Sequence, residues 1–198
     1  MRLKGAHRSF WMLLSIAVGI GGFACKDQKK AVSPKKNTSE VAKKTQAEET
    51  PVTPAGQLAL AVKFYTGEGR KQNHKVAAKY FKMAADNGSH QAQFALGCMY
   101  QNGHGVSQNF MTASDWYLKA AQADNPNAQF LLGLSYKEGS GVPRDPLESY
   151  KWIFLAAESG NTQHIAARQQ LERTYSPAMI TEGRRRADQF RLYQGVKN

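Results

Sequence analysis

The sequence predicts an all-α protein, a right-handed α-solenoid of three 36-residue helix-turn-helix repeats followed by a C-terminal capping helix pair. The first observation is that a shift of 36 residues aligns the blocks 55–90, 91–126 and 127–162. The second is that each block has two glycines, separated by one residue, at the same offset: Gly67 and Gly69, Gly103 and Gly105, and Gly139 and Gly141. One helical hairpin cannot cover its own apolar faces, whereas stacked hairpins can, and the repeats therefore predict an array.

Each block is predicted to contain two helices joined by a glycine turn. In the second block, Ala92, Leu96 and Tyr100 recur every four residues, which places them on one face of a helix. Gly103 then allows the left-handed conformation that ends this helix. The second helices are predicted to begin after residues whose side-chain oxygen can accept a backbone N–H, namely Asn73, Asn109 and Asp145.

The ends of the repeats are not identical. The first and third repeats end near Gly88 and Gly160, whereas the second has Asp124 in that place, so we expect this joint to bend differently. Residues 163–198 lack the glycine turn and are predicted to close the array, with a last helix that begins after Ser176. One face of this helix is apolar or small: Ile180, Gly183, Ala187 and Phe190.

The net charge of +12 lies mainly in the two ends of the 198-residue chain. Residues 1–24 carry +3, residues 25–54 carry +3 and residues 163–198 carry +4, which leaves only +2 for the repeats. The two cysteines exclude a disulfide framework and a multi-cysteine zinc module. Arg184, Arg185 and Arg186 form a basic surface that is either solvated or in contact with an anionic lipid, a glycan or an acidic partner.

Residues 1–24 have the pattern of an export signal. Arg2, Lys4 and Arg8 precede the uncharged apolar run 10–24, which is shorter than the roughly 17 to 20 residues that a membrane-spanning helix needs. The segment 22–25 (GFAC) resembles a bacterial lipoprotein box, and this resemblance implies acylation of Cys25. Ordinary cleavage without a lipid and an uncleaved anchor remain open alternatives. By the same resemblance, Lys26 in place of Asp favours the outer membrane over the inner one.

Residues 25–54 are interpreted as a lysine-rich disordered tether. The stretch 26–54 has seven lysines and three prolines but no aromatic residue, leucine or isoleucine. Such a segment cannot bury enough apolar area to offset the ordering of its backbone, which is unfavourable by about 1–2 kcal/mol per residue. Its lysines are either solvated or attracted to an anionic lipid surface.

The second and third repeats carry the pattern A-x-x-x-L-G-x-x-Y-x-x-G-x-G-V, followed by Asn or Asp, Trp and an alanine pair, whereas the first repeat departs from it at Gly56, Ala61 and Arg70, as expected of a terminal repeat. This pattern resembles the Sel-one-like repeat (SLR) family of the tetratricopeptide superfamily, and the resemblance covers residues 55–162. It implies a concave groove lined by the first helices, with the partner-binding positions Leu58, Val62, Tyr65, Phe94, Gln101, Asn102, Phe130, Leu134, Lys137 and Glu138. Leu58, Phe94 and Phe130 form an apolar row that either binds an extended peptide or a helix, or packs between repeats as core.

The sequence contains no recognisable catalytic set, and we predict no cofactor and no metal. The glycine pairs do not follow a strand, so they are not a phosphate-binding loop. His74, His90, His104 and His164 do not align with one another and show no metal-ligand spacing, and His104 is expected to be solvated in its turn.

We therefore predict an exported, membrane-tethered, non-enzymatic scaffold that faces the periplasm and binds an envelope protein or peptide. Nucleic acid is not expected as a partner, because the repeats are nearly neutral. One alternative is a cell-wall enzyme or β-lactam-binding protein, an activity claimed for cysteine-rich members of the family that the low cysteine content argues against. Another is a glycan- or peptidoglycan-binding regulator that acts through the basic C-terminal helix.

Overall fold

The described part of the chain is helical throughout. The computed structural model describes residues 53–197, which contain eight α-helices and no strand. The helices are α1 (Pro54–Thr66), α2 (His74–Asp86), α3 (His90–Asn102), α4 (Phe110–Gln122), α5 (Pro126–Glu138), α6 (Pro146–Ala157), α7 (Thr162–Thr174) and α8 (Pro177–Lys197). The predicted signal peptide 1–24, the acylation site Cys25 and nearly all of the predicted tether lie outside the described residues.

The helices pack as three consecutive hairpins and a closing pair. Each first helix contacts its own second helix, in the pairs α1 with α2, α3 with α4 and α5 with α6, and each second helix contacts the first helix of the next repeat. Helix α6 packs against both α7 and α8. This arrangement confirms the predicted all-α solenoid of three repeats. Within residues 53–197, no helix has the length and apolar character required to cross a bilayer.

The turns follow the predicted capping chemistry. Gly103 adopts a left-handed φ of +71° directly after α3, and its backbone N–H donates to the carbonyl oxygen of Met99. The three predicted N-cap residues are confirmed, because their side chains accept backbone N–H groups at the starts of α2, α4 and α6: Asn73 from Val76, Asn109 from Thr112, and Asp145 from Leu147 and Glu148.

The expectation that the joint after the second repeat bends differently is wrong at the backbone level. Asp124 adopts a left-handed φ of +55°, as Gly88 and Gly160 do at φ +87° and +76°. After glycine, asparagine and aspartate are the residues that adopt this conformation most readily. The same type of turn is therefore retained with a different residue.

Small residues allow the paired helices to approach closely. Gly97 in α3 faces the ring of Tyr117 in α4, and a Cβ added to it would lie only 2.5 Å from the ring carbon Cε1. Gly133 in α5 faces Ile153 in α6 in the same way, at 2.6 Å. The glycine of the Leu-Gly pair is therefore needed for packing within the hairpin, where the alanines of the second helices are also fully or nearly fully buried.

Candidate protein-binding surface

The predicted groove positions divide into buried and accessible sets. Phe94 and Phe130 are buried, with only 7% and 6% of their surfaces exposed. Leu58, Val62 and Tyr65 of α1 are half-buried. The remaining positions are half-buried or exposed: Gln101, Asn102, Leu134, Lys137 and Glu138.

The two phenylalanines serve the core rather than an open surface. The ring of Phe94 lies 6.1 Å from that of Tyr117, and the ring of Phe130 stacks on His164 at 4.5 Å. Phe130 also belongs to a hydrophobic cluster that includes Tyr150 and Leu171. At Phe94 and Phe130 the apolar row therefore packs as core between the helices. A partner would contact mainly the accessible positions.

Gln101 is held in place by two hydrogen bonds. Its Oε1 accepts from the hydroxyl of Tyr117 at 2.6 Å, and its backbone carbonyl accepts from Nε2 of Gln108 at 2.7 Å. Burial raises the pKa of Tyr117, so this hydroxyl stays protonated and remains a donor. Gln101 is thus positioned by the repeat itself, before any partner binds.

Three aromatic side chains meet where the first repeat contacts the second. The hydroxyl of Tyr65 lies 3.0 Å from Nδ1 of His104, and the rings of His74 and His104 stack with their centroids 5.2 Å apart. The expectation that His104 is solvated is therefore wrong. Burial lowers the pKa of His74, and the positive charge that His104 can carry lowers it further, although a hydrogen bond to the backbone of Tyr65 acts in the opposite direction.

The glycine turns explain this meeting, which sequence analysis missed. A Cβ added to Gly105 would overlap the carbonyl group of His74 and lie 2.7 Å from the backbone nitrogen of Lys75. Gly141 has the same relation to the carbonyl of Phe110 in the next junction. By contrast, no atom lies within 4 Å of a Cβ added to Gly69 among the described residues. In the second and third repeats, the second glycine of the turn therefore packs on the second helix of the preceding repeat. The recurrence of this glycine in the sequence could have indicated the contact.

The closing helix α8 is attached to α6 and α7 through a buried tyrosine. The hydroxyl of Tyr150 donates to Oε1 of Glu172 at 2.8 Å and accepts from Nε of Arg184 at 3.2 Å. Arg184 also donates to Glu172 at 3.0 Å. Burial acts to raise the pKa of Glu172, but the hydrogen bonds from Tyr150 and Arg184 outweigh it, and the net pKa is lowered.

The predicted basic surface of α8 is locally balanced by carboxylates. Arg185 pairs with Glu182 at 2.7 Å, and Arg186 pairs with both Glu182 and Glu148 at 3.1 Å. The hydrogen bonds from Arg185 and Arg186 lower the pKa of Glu182 to about 2. Because each of these guanidinium groups has an acidic partner, its positive charge is largely compensated by carboxylates of the same chain.

Metal-ligating side chains are not grouped in the described part of the chain. Within residues 53–196, no three His, Cys, Asp or Glu side chains are grouped so as to hold a metal ion. Cys98 is buried in α3, with 5% of its surface exposed.

Comparisons with known proteins place this arrangement among repeat proteins. A family model described as Sel1 repeat matches residues 54–89, 90–125 and 126–161, more than half of the chain. The solved structure of c5321, a protective antigen present in uropathogenic Escherichia coli strains that displays an SLR fold, is 28% identical over 70% of this chain, with a TM-score of 0.65. This chain spans only 30% of that protein. A Sel1 repeat protein from Oxalobacter formigenes is 35% identical over 59% of this chain and 88% of its own, with a TM-score of 0.56. No curated protein matches the sequence.

Proposed function

Because the chain belongs to the Sel1 repeat family, whose members generally act as scaffolds for protein interactions, we propose that it is an exported, membrane-tethered, non-enzymatic adaptor. Its partner is another protein or peptide of the cell envelope. The partner binds along the accessible positions of the first helices α1, α3 and α5, which face the concave groove in related repeats.

The contrast between constant and variable positions is the observation that carries this proposal. The glycines that join hairpins recur in each repeat, whereas one accessible first-helix position holds Thr66, Asn102 and Glu138 in turn. A neighbouring position holds Val62 in the first repeat and Leu134 in the third. Residues that differ in charge and polarity on a repeated frame provide a surface that one partner can match and another cannot.

The N-terminal sequence supports a location at the envelope membrane, with the outer membrane favoured. The export signal and the lipoprotein-type segment that ends at Cys25 indicate an N-terminal lipid anchor. With more than one acyl chain, an anchor of this kind is stable without a membrane-spanning helix. Confinement to a surface raises the effective concentration of the adaptor near a partner in the same envelope, so a modest groove affinity is sufficient.

The groove is tested with a triple variant of the accessible first-helix positions. We expect Val62→Glu/Asn102→Arg/Glu138→Lys to remove the specific partner from proximity labelling performed in native membranes with the full chain. These side chains are half-buried or exposed, so the variant should keep its helical circular dichroism spectrum.

A matched control places the same changes on a second helix. Met111→Glu/Asp115→Lys/Gln122→Arg alters three exposed residues of α4 with the same types of substitution. It should leave the labelled proteins unchanged. If both variants lose the same proteins, or neither loses any, the first-helix face is not the binding surface.

The anchor is tested separately with labelled palmitate. We expect the label to enter the wild-type protein and the Cys98→Ala variant but not Cys25→Ala, because only Cys25 follows the lipoprotein-type segment. Equal labelling of the two cysteine variants would contradict lipidation at Cys25, while leaving the groove experiment unaffected.

A further inference from the structure

The first repeat differs from the others in charge. Residues 55–90 contain six basic and two acidic residues, whereas residues 91–162 contain four basic and six acidic residues. The net charges are therefore +4 and −2. This asymmetry is hidden in the nearly neutral total of the array and becomes meaningful once the positions of the lysines are known.

Three lysines of the first repeat are exposed around the start of α2. Lys75 and Lys79 lie one helical turn apart on the face opposite the buried side of the helix, and Lys71 lies in the turn just before it. Among the described residues, none of the three makes a hydrogen bond or an ion pair. The next lysine along the helix, Lys82, differs because it pairs with Asp86 at 2.8 Å.

The repeat fold does not require these lysines. At the position of Lys75 the other repeats have Met111 and Leu147, and at the position of Lys79 they have Asp115 and Lys151. Lys151 is itself paired with Glu148. The three unpaired charges are therefore particular to the first repeat, and their role lies outside the packing of the array.

We propose that Lys71, Lys75 and Lys79 form a docking face for a phospholipid bilayer that carries anionic headgroups. The complementary charge argues for this occupant, since an ammonium on a flexible stem adapts to a fluid array of phosphates without requiring a fixed fork geometry. The position argues for it as well, because these lysines belong to the repeat that follows the tether in sequence. In this respect the inference rests on the proposed membrane tether, and it adds that the first repeat lies against the membrane.

The expected strength follows from the number of charges. Each lysine near an anionic surface strengthens binding about five-fold, so that the three together contribute on the order of 100-fold. The contribution should decrease with added salt, because exposed charges are screened over about 8–10 Å at physiological ionic strength.

Vesicle flotation tests the proposal with the full chain carrying Cys25→Ala, which removes the predicted acylation site. We expect this protein to float with phosphatidylcholine vesicles that contain phosphatidylglycerol and not with phosphatidylcholine alone. In this background, Lys71→Gln/Lys75→Gln/Lys79→Gln should lose on the order of 100-fold in affinity, whereas the charge-retaining Lys71→Arg/Lys75→Arg/Lys79→Arg should bind nearly as well as the parent.

A charge-matched control separates this face from general basicity. Lys119→Gln/Arg144→Gln/Arg173→Gln removes three exposed cations from other parts of the array and should leave vesicle affinity within a few-fold of the parent. An equal loss in the control and the lysine variant would overturn the proposal, as would absence of flotation by the parent.

Binding to soluble polyglutamate distinguishes an acidic protein partner. If the lysine variant loses polyglutamate binding but keeps vesicle binding, an acidic partner replaces the membrane and the proposal is overturned. Each of these outcomes is independent of palmitate labelling at Cys25, so the docking face and the lipid anchor can fail separately.

Discussion

Replacing Gly105 by alanine should weaken the junction between the first repeat and the second. Gly105 has a φ of +73°, and its added Cβ would overlap the carbonyl group of His74 on the preceding second helix. Gly69 is the equivalent residue of the first repeat and has a nearly equal φ of +71°, but no atom of the described residues lies within 4 Å of its added Cβ. A comparison of the alanine variants at Gly105 and Gly69 therefore separates the effect of the contact between repeats from the effect of the left-handed backbone.

The expected magnitudes differ between the two sites. An alanine in the left-handed region is unfavourable by about 1–2 kcal/mol, and the reduced freedom of the unfolded chain offsets about 0.4–1 kcal/mol of this. Gly69→Ala should therefore lower the free energy of unfolding by about 1 kcal/mol. Gly105→Ala adds a steric overlap that only a backbone shift can relieve, which typically contributes a further 1–3 kcal/mol, so a total of about 2–4 kcal/mol is expected.

Urea unfolding followed by two probes measures both effects in a Trp11→Phe background. Circular dichroism reports all helices, whereas the fluorescence of Trp116 and Trp152 reports the second and third repeats. In Gly105→Ala the circular dichroism midpoint should fall below the fluorescence midpoint, because a weakened junction lets the first repeat unfold earlier. Equal losses of stability for Gly105→Ala and Gly69→Ala, with coincident transitions, would refute the reasoning.

Three further predictions concern the cap, the core and the dependence on pH. Tyr150→Phe removes the hydroxyl that donates to Glu172 and should lower the free energy of unfolding by about 1 kcal/mol in urea titrations, and an unchanged midpoint would contradict this. Phe130→Ala empties a buried site and should lower it by about 3–5 kcal/mol, whereas a loss below about 1 kcal/mol would return Phe130 to the accessible surface. Burial and His104 lower the pKa of His74 in the folded state, so the unfolded chain binds more protons at this residue. The stability that neutral His74 contributes is therefore fully present above pH 6.5, and the free energy of unfolding decreases as the pH falls. His74→Gln should flatten this decrease in urea midpoints measured from neutral pH to about pH 5, and an unaltered slope would exclude His74 as its source.

The fold could be predicted because its determinants are local and repeated. Asn73, Asn109 and Asp145 each cap a helix through their own side chain, and the glycine turns recur at a fixed period, so both features are visible without tertiary information. Asp124 shows the limit of this reasoning. The absence of glycine suggested a different turn, but aspartate can also adopt the left-handed φ that the turn requires.

The candidate surface was predicted less completely, since burial and pairing are decided by neighbours distant in sequence. Phe94 and Phe130 occupy first-helix positions like the accessible residues around them, and only the rings of Tyr117 and His164 reveal that they are enclosed. Similarly, the charges of the arginines in α8 are balanced in part by Glu148 and Glu172 on α6 and α7. A helical period identifies a face of a helix, but it does not identify what lies against that face.

The contact between each second-turn glycine and the helix before it has an evolutionary consequence. Each of the two junctions between repeats is assembled from parts supplied by two consecutive units, the carbonyl group of the first residue of one second helix and the second turn glycine of the next unit. Duplicating a whole 36-residue unit copies both parts, so the new junctions already contain the atoms they need. Lengthening by any other increment would separate them, which favours growth of such proteins by complete units.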